Sequence, residues 1–218
     1  LAISTDMLVA GRHFFDDVDP VALGHKALAV NLSDLAAMGA TPKAFTLALA
    51  LPRIDPLWLA GFSKGLLALA DAHGCELIGG DTTAGPLTIS ITVMGEVPIR
   101  CALTRSGAKV GDDVYVSGPI GWARLGLAQR KGQLHLPQAL CDLAQHALDW
   151  PVPSLALGHD LRGIATAAID LSDGLSGDLA HVVAQSKVGA LLDETALAQS
   201  MGPAAGALGW STQQMAQW

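Results

Sequence analysis

Asp34 stands where an apolar residue is expected. Leu23, Ala27 and Val30 fall on one stripe of a helix that should open at Asp19-Pro20, and Asp34 is the next position on that stripe. Burying an ionised Asp without a partner is costly, and no Lys or Arg lies one turn away on either side. A bound cation would supply the missing charge. Four further carboxylates read as points where a strand hands over to a loop: Asp6 after Ile3-Ser4-Thr5, Asp81 after Gly79-Gly80, and Asp170 and Asp173 around Ser172. Strand ends are where α/β proteins place ligands, and oxygen-only donor sets suit hard cations. Mg²⁺ takes one or two carboxylates and completes its shell with water and substrate phosphates, so the chemistry expected is metal-assisted handling of a phosphorylated ligand. Each group also has a plainer reading: Asp6 and Asp81 as turn residues, Asp173 as the cap of a helix from Gly174.

The elements that must position these groups follow from periodicity and punctuation. Leu1 to Thr5 reads as a strand ending at Asp6. A helix runs from about Asp19 to Met38, with Asp19 as cap, Pro20 at the first position and Gly39 as stop. Ala44 to Leu51 reads as a strand too apolar to face solvent on either side. Asp55-Pro56 opens a second helix and Gly74 closes it, with Leu59, Phe62, Leu66, Leu69 and Ala70 as its core stripe. Glu76-Leu77-Ile78 leads into the Gly79-to-Thr83 segment, and Leu87 to Val97 alternates as a half-exposed strand does.

Turn residues and charges fill Pro98 to Asp113, and the domain boundary is placed there, giving units 1–105 and 106–218. Beyond it, strands are expected at Val114–Ser117, Ala167–Leu171 and Val188–Leu192, and helices at Trp122–Gln129, Gln138–Leu148 and Leu175–Ser186. The fold class is α+β or α/β in two units. Leu1-Ala2-Ile3 reads as the inside of a strand and Met215 to Trp218 as the inside of a helix, so both ends are expected to be truncated.

Composition narrows the function. The chain has 218 residues, half of them hydrophobic, enough to bury a substantial core. A formal charge of −7 without a Lys/Arg cluster argues against nucleic acid as partner. The longest apolar stretch, Ala27 to Leu51, is interrupted by Asn31, Asp34, Pro42 and Lys43 and is too polar for a bilayer, so no membrane partner is expected. Cys75, Cys101 and Cys141 have neither disulfide-framework nor zinc spacing, which fits a reducing cytoplasm. No GxxxxGK[ST], GxGxxG or protein-kinase signature is present. Arg105 and Lys109 in a Gly-containing turn could reach phosphate oxygens or simply be solvated, and His13 could touch a substrate or be structural.

Ile3-Ser4-Thr5-Asp6, Gly11-Arg12-His13-Phe14, Asn31 through Ala40, Glu76 through Thr83, Arg105 through Lys109 and Asp170 through Leu175 occur together and in order. In this the sequence resembles the thiamine-monophosphate kinase family over most of its length. Single blocks are shared with the wider superfamily of aminoimidazole ribonucleotide synthetase, selenophosphate synthetase and the hydrogenase maturation protein. The resemblance implies ATP- and Mg²⁺-dependent transfer of a γ-phosphoryl group to thiamine monophosphate. It implies an N-terminal sheet-plus-helices domain that pairs with its twin in a homodimer, and a C-terminal α/β domain. By matching position, Ser4, Thr5, Asp6, Asp34, Asp81, Asp170 and Asp173 would hold several Mg²⁺ ions. Gly80, Asp81, Arg105 and Ser172 would hold the nucleotide, and His13 would touch the thiamine substrate. Catalysis would need no protein nucleophile. Members of the family usually carry a Gly-Asp-Asp segment before the first strand and a Gly-Gly-Glu-Asp-Tyr-Glu type segment beyond Trp218, and this sequence has neither. Another ATP-using enzyme of the superfamily and a non-catalytic Mg-nucleotide-binding module are the alternatives.

Overall fold

The structure, a computed structural model, describes residues 1–217, so Trp218, the last residue of the expected C-terminal helix, lies outside the described residues. Alternation shapes the first element. In β1 (Ala2–Val9) the side chains of Ala2, Ser4, Asp6 and Leu8 turn inward, while Ile3, Thr5 and Met7 are exposed on the other side. Further strands are β2 (Thr41–Leu51), β3 (Glu76–Ala84) and β4 (Thr88–Glu96), and the four form one sheet in the order β1-β4-β2-β3. β4 runs antiparallel to both β1 and β2, and β3 runs parallel to β2. On the inner face Phe45 lies opposite Val93 and Leu49 opposite Ile89, all four buried.

Two helices cover that face. The first, α1 (Pro20–Ala37), starts as its sequence dictates: the Asp19 carboxylate accepts from the Val21 and Ala22 amides at 3.3 Å, and Gly39 beyond its end takes φ +64°. The second, α2 (Pro56–Ala72), repeats the device with Asp55, which accepts from the Leu57 and Trp58 amides at 3.1 Å. The two helices touch backbone to backbone. A Cβ on Gly24 would stand 2.0 Å from the Phe62 carbonyl oxygen, and one on Gly65 would stand 1.9 Å from that of Val21, so only hydrogen fits at either place.

The second half is helical: α3 (Trp122–Arg130), α4 (Gln138–Asp149), α5 (Leu155–Asp160), α6 (Leu175–Ser186), α7 (Glu194–Ser200), a 3₁₀ turn (Pro203–Leu208) and the short α8 (Thr212–Met215). Trp122, Leu125, Leu136, Leu140, Ala144, Met201 and Ala205 form a core separate from the one under the sheet. Trp122 Nε1 donates to the Met201 carbonyl at 2.7 Å within it. Leu155 on α5 instead packs into the first core, and a Cβ on Gly158 would fall 2.1 Å from the Ala36 carbonyl oxygen. The two halves therefore share a tight seam along α1.

Several expectations need correction. Asp6 and Asp81 are not at strand ends: β1 continues to Val9 and β3 to Ala84, because each has a ladder partner to the end, Asp6 opposite Ile91 and Asp81 beside Ala48. β2 is open on one side, with Lys43 and Ala48 exposed, since both covering helices lie on the other. Val114–Ser117, Ala167–Leu171 and Val188–Leu192 form no strands. A strand exists only with a hydrogen-bonded neighbour, and among the described residues none of these stretches enters a ladder. The helices expected at Trp122–Gln129, Gln138–Leu148 and Leu175–Ser186 fall within a residue or so of the observed ones, whereas α8 ends at Met215, so Ala216 and Gln217 are a turn and not the inside of a helix.

Candidate metal and phosphate site

Buried Asn31 fixes how β1 lies on α1. Its Nδ2 donates to the Ala27 carbonyl at 3.0 Å in its own helix, and its Oδ1 accepts the Asp6 amide at 3.2 Å. This clamp brings the inward side chains of β1 over the last turns of α1, where the Ser4 hydroxyl donates to the Asp34 carboxylate. Asp6 and Asp34 are thereby neighbours, both half-buried.

Asp170 arrives from the far half. The segment before it is fastened to the end of α1: Arg162 Nε donates to the Gly39 carbonyl at 2.6 Å and its Nη2 to Thr41 Oγ1 at 3.4 Å, while His159 Nε2 donates to the Ala40 carbonyl at 3.1 Å. These bonds satisfy the carbonyls of the two residues that follow the cap of α1, and Arg162 places its positive charge near the negative pole of that helix. They also set the level at which Asp170 meets Asp34 and Ser33.

Charge is left over in this arrangement. Burial first, and then the negative charge of Asp34, push the Asp6 carboxyl above the usual carboxylate range, with His13 working the other way. Asp170 is raised in the same manner, by burial first and then by Asp34, with the Ser33 hydroxyl pulling it back down. Two half-buried carboxylates thus pay an electrostatic penalty around a third. The ion pairs Lys43–Glu96, Arg53–Asp55 and Arg130–Asp17 lie elsewhere. A hard divalent cation fits this set of carboxylate and hydroxyl oxygens. Among the described residues no three His, Cys, Asp or Glu side chains are grouped to enclose one ion, so any ion here would be held by one or two carboxylates and would draw its other ligands from water or a phosphate.

The remaining residues singled out in the sequence are placed as follows. His13 is exposed in the loop after β1, and its Nδ1 accepts the Val9 amide at 3.0 Å, which leaves the proton on Nε2 as an outward donor. That loop is fastened by Arg130, whose guanidinium lies 4.3 Å from the Phe15 ring centre and pairs with Asp17. Thr5 is on the opposite face of β1 from Ser4 and Asp6, its hydroxyl 2.8 Å from that of Thr92, so it does not join them. Asp81 is not brought to them either. β3 and β1 are opposite edges of the sheet, three strand spacings or about 14 Å apart. Asp81 turns one oxygen to the Thr82 amide at 2.9 Å. Gly80 is obligatory for packing, since at φ +147° its Cβ would lie 1.8 Å from the Leu47 carbonyl oxygen. Arg105, Ser172 and Asp173 have exposed side chains on loops.

Residues 1–97 match the family model described as AIR synthase related protein, N-terminal domain. Beyond residue 97 the similarity to known proteins continues. Thiamine-monophosphate kinase of Salmonella typhimurium is 52% identical over 202 residues, covering 92% of this chain and 62% of that protein. The crystal structure of thiamine-monophosphate kinase from Stenotrophomonas maltophilia superposes with a TM-score of 0.81 at 45% identity, over 85% of this chain and 60% of that one. The complex of AaThiL with AMPPCP and TMP superposes at 0.79 with 30% identity, over 85% and 60%. The chain therefore spans about three fifths of the length of the relatives it matches. Asn31 and Ser33 were visible in the sequence only as neighbours of Asp34. The Arg162 and His159 fastening left no signal, because a side chain that caps another helix carries no local periodicity.

Proposed function

We propose that the chain is part of an ATP-dependent thiamine-monophosphate kinase, which moves the γ-phosphoryl group of ATP onto the phosphate of thiamine monophosphate to give thiamine diphosphate and ADP. The observation that carries this reading is the convergence of the half-buried carboxylates Asp6 and Asp170 on Asp34, whose carboxylate accepts the Ser4 hydroxyl. The relatives that share this sequence are thiamine-monophosphate kinases, and one related structure holds the ATP analogue AMPPCP.

In this reading Asp34 would hold Mg²⁺ with Asp6 and Ser4 on one side and with Asp170 on the other, each ion on one or two carboxylates, and Asp173 lies at the rim. A Mg²⁺ ion held there would supply positive charge against the negative charge that develops on the phosphate oxygens during transfer. The chain supplies alignment. An acceptor phosphate is already anionic at neutral pH, so no general base is required, and positioning is the main contribution of the protein. His13, held as an Nε2–H donor, meets the thiamine substrate, and the Arg130 contact with Phe15 keeps its loop in place. Arg105, Ser172, Gly80 and Asp81 receive the nucleotide.

The same reading includes a homodimer. The open face of the sheet presents Ile3 and Met7, 59% and 55% exposed, and a second copy would cover them. We assign residues 1–105 to the dimerising domain and 106–218 to a second domain. No helix among the described residues is long and apolar enough to cross a membrane, and a cytoplasmic location suits the free thiols and the nucleotide substrate.

The test is chromatography of products from ATP, Mg²⁺ and thiamine monophosphate with the intact protein. Equal amounts of thiamine diphosphate and ADP, lost with EDTA, support the assignment. Mg²⁺-dependent nucleotide binding without either product would reduce the protein to a binding module.

A further inference from the structure

Asp178 is 4% exposed, and among the described residues its hydrogen bonds come from backbone amides. One of its oxygens, Oδ2, accepts the amides of Ser172 at 3.0 Å, Asp173 at 3.1 Å and Gly174 at 3.2 Å. Eight residues further along α6, Ser186 uses its full hydrogen-bonding capacity on another loop. Its hydroxyl accepts from the Gly107 and Ala108 amides, both at 3.1 Å, and donates to the Arg105 carbonyl at 3.2 Å. That loop is also pressed against residue 166, where a Cβ on Gly107 would stand 2.4 Å from the Thr166 carbonyl oxygen.

We propose that α6 is a positioning helix: Asp178 near its start and Ser186 at its end set the shapes of the two loops that carry Asp170, Ser172 and Asp173 on one side and Arg105 on the other. The two anchors are separated by about 12 Å along the helix axis, so one rigid rod fixes the distance between both loops. Neither anchor touches a ligand. A carboxylate collecting three amides makes charge-assisted bonds stronger than a hydroxyl or amide could, and its burial keeps water from competing. An ordinary helix cap accepts one or two amides of the helix that follows. Asp178 instead accepts from the loop that precedes its helix, and that loop is where Asp170 leads. The inference rests on the reading of that loop as metal-binding and of Arg105 as a nucleotide contact.

The test uses the intact protein, with Mg²⁺ alone as the first probe and ATP as the second. For Asp178→Ala the Mg²⁺ concentration giving half of the thermal shift should rise about tenfold or more, the range expected when a residue supporting a metal ligand is lost. Asp178→Asn keeps one carbonyl acceptor at the same point and should recover most of that loss. Ser186→Ala should leave the Mg²⁺ midpoint unchanged and raise KM for ATP while kcat holds. A folded Asp178→Ala protein with the midpoint of the unaltered protein would overturn the proposal, as would Ser186→Ala with an unchanged KM for ATP. If Asp178→Ala does not fold, Asp178→Asn must still shift the midpoint above that of the unaltered protein, and no shift refutes the role. An unaltered protein that responds to Mg²⁺ yet makes no thiamine diphosphate refutes the kinase reading alone, leaving the Mg²⁺ midpoints to decide on Asp178. One with no Mg²⁺ response at all refutes both.

Discussion

Replacing Asp34 with Asn should stabilise the metal-free protein and remove its response to Mg²⁺, two effects of opposite sign from one change. Asp34 raises both Asp6 and Asp170, so its charge is unfavourable in the absence of metal. Two unit charges 4 Å apart at a near-surface dielectric interact by about 4 kcal/mol, and for these half-exposed groups screening reduces the combined repulsion to roughly 1–2 kcal/mol. Asn still accepts the Ser4 hydroxyl, at the cost of charge assistance worth about 0.5–1 kcal/mol. The net gain centres on about 0.75 kcal/mol, or roughly 2–3 °C in Tm for a chain of this size. With Mg²⁺ at a hundred times its dissociation constant the unaltered protein gains about 2.7 kcal/mol, and the Asn variant should gain almost none. Differential scanning fluorimetry at pH 7.5, in EDTA and across a Mg²⁺ titration, reads both. The reasoning fails if the Asn variant melts below the unaltered protein in EDTA, or if it keeps the Mg²⁺ shift. The pH dependence has a definite sign. The folded-state carboxyls of Asp6 and Asp170 lie above their unfolded values, so in EDTA their penalty is fully present at neutral pH. It is relieved as the pH falls through those raised values, and is gone below the ordinary Asp value of about 3.9.

Gly65→Ala puts a methyl where the Val21 carbonyl oxygen stands 1.9 Å away, so α1 and α2 must separate; a loss of about 3 kcal/mol or more is expected in urea unfolding, and a loss under about 1 kcal/mol would contradict the close approach. Arg162→Ala frees the Gly39 carbonyl and should cost about 1.5–3 kcal/mol, with a weaker Mg²⁺ response because Asp170 loses its level against α1. Burial pushes the Cys75 thiol up to about 11, so at pH 8 in native buffer it should resist a thiol reagent that modifies it at once in denaturant; mass spectrometry of the labelled peptides distinguishes the two.

The parts of the fold that are local were legible in the sequence. Asp19-Pro20 and Asp55-Pro56 open helices with the capping bonds their chemistry requires, and the Leu59-to-Ala70 stripe faces the core, with Leu59 half-buried at its edge. Asp34 stood out because one carboxylate broke an apolar face, and it lies at the centre of the charged cluster. What failed was everything that depends on a neighbour distant in sequence. Val188 to Leu192 has strand-like composition but no partner, so composition misled. Asp6 and Asp81 sit mid-strand because ladder length is set by the adjacent strand, which no single segment encodes. Asp178 went unnoticed since acidic residues near helix starts are common, and only the coordinates reveal that three amides of the preceding loop converge on it.

The seam along α1 also orders events in time. Every strand and both covering helices are complete by residue 96, so this half can begin to assemble while the rest of the chain is still being synthesised. Yet the core under the sheet includes Leu155, and the bonds that close the end of α1 come from His159 and Arg162. Until those residues emerge, the early half is a nascent domain with an unsealed flank and an open sheet edge, the state in which a ribosome-bound chain is most exposed to chaperones and to mispairing. A pause in translation before Arg162 has emerged from the ribosome would lengthen that window, whereas one placed after its emergence would not.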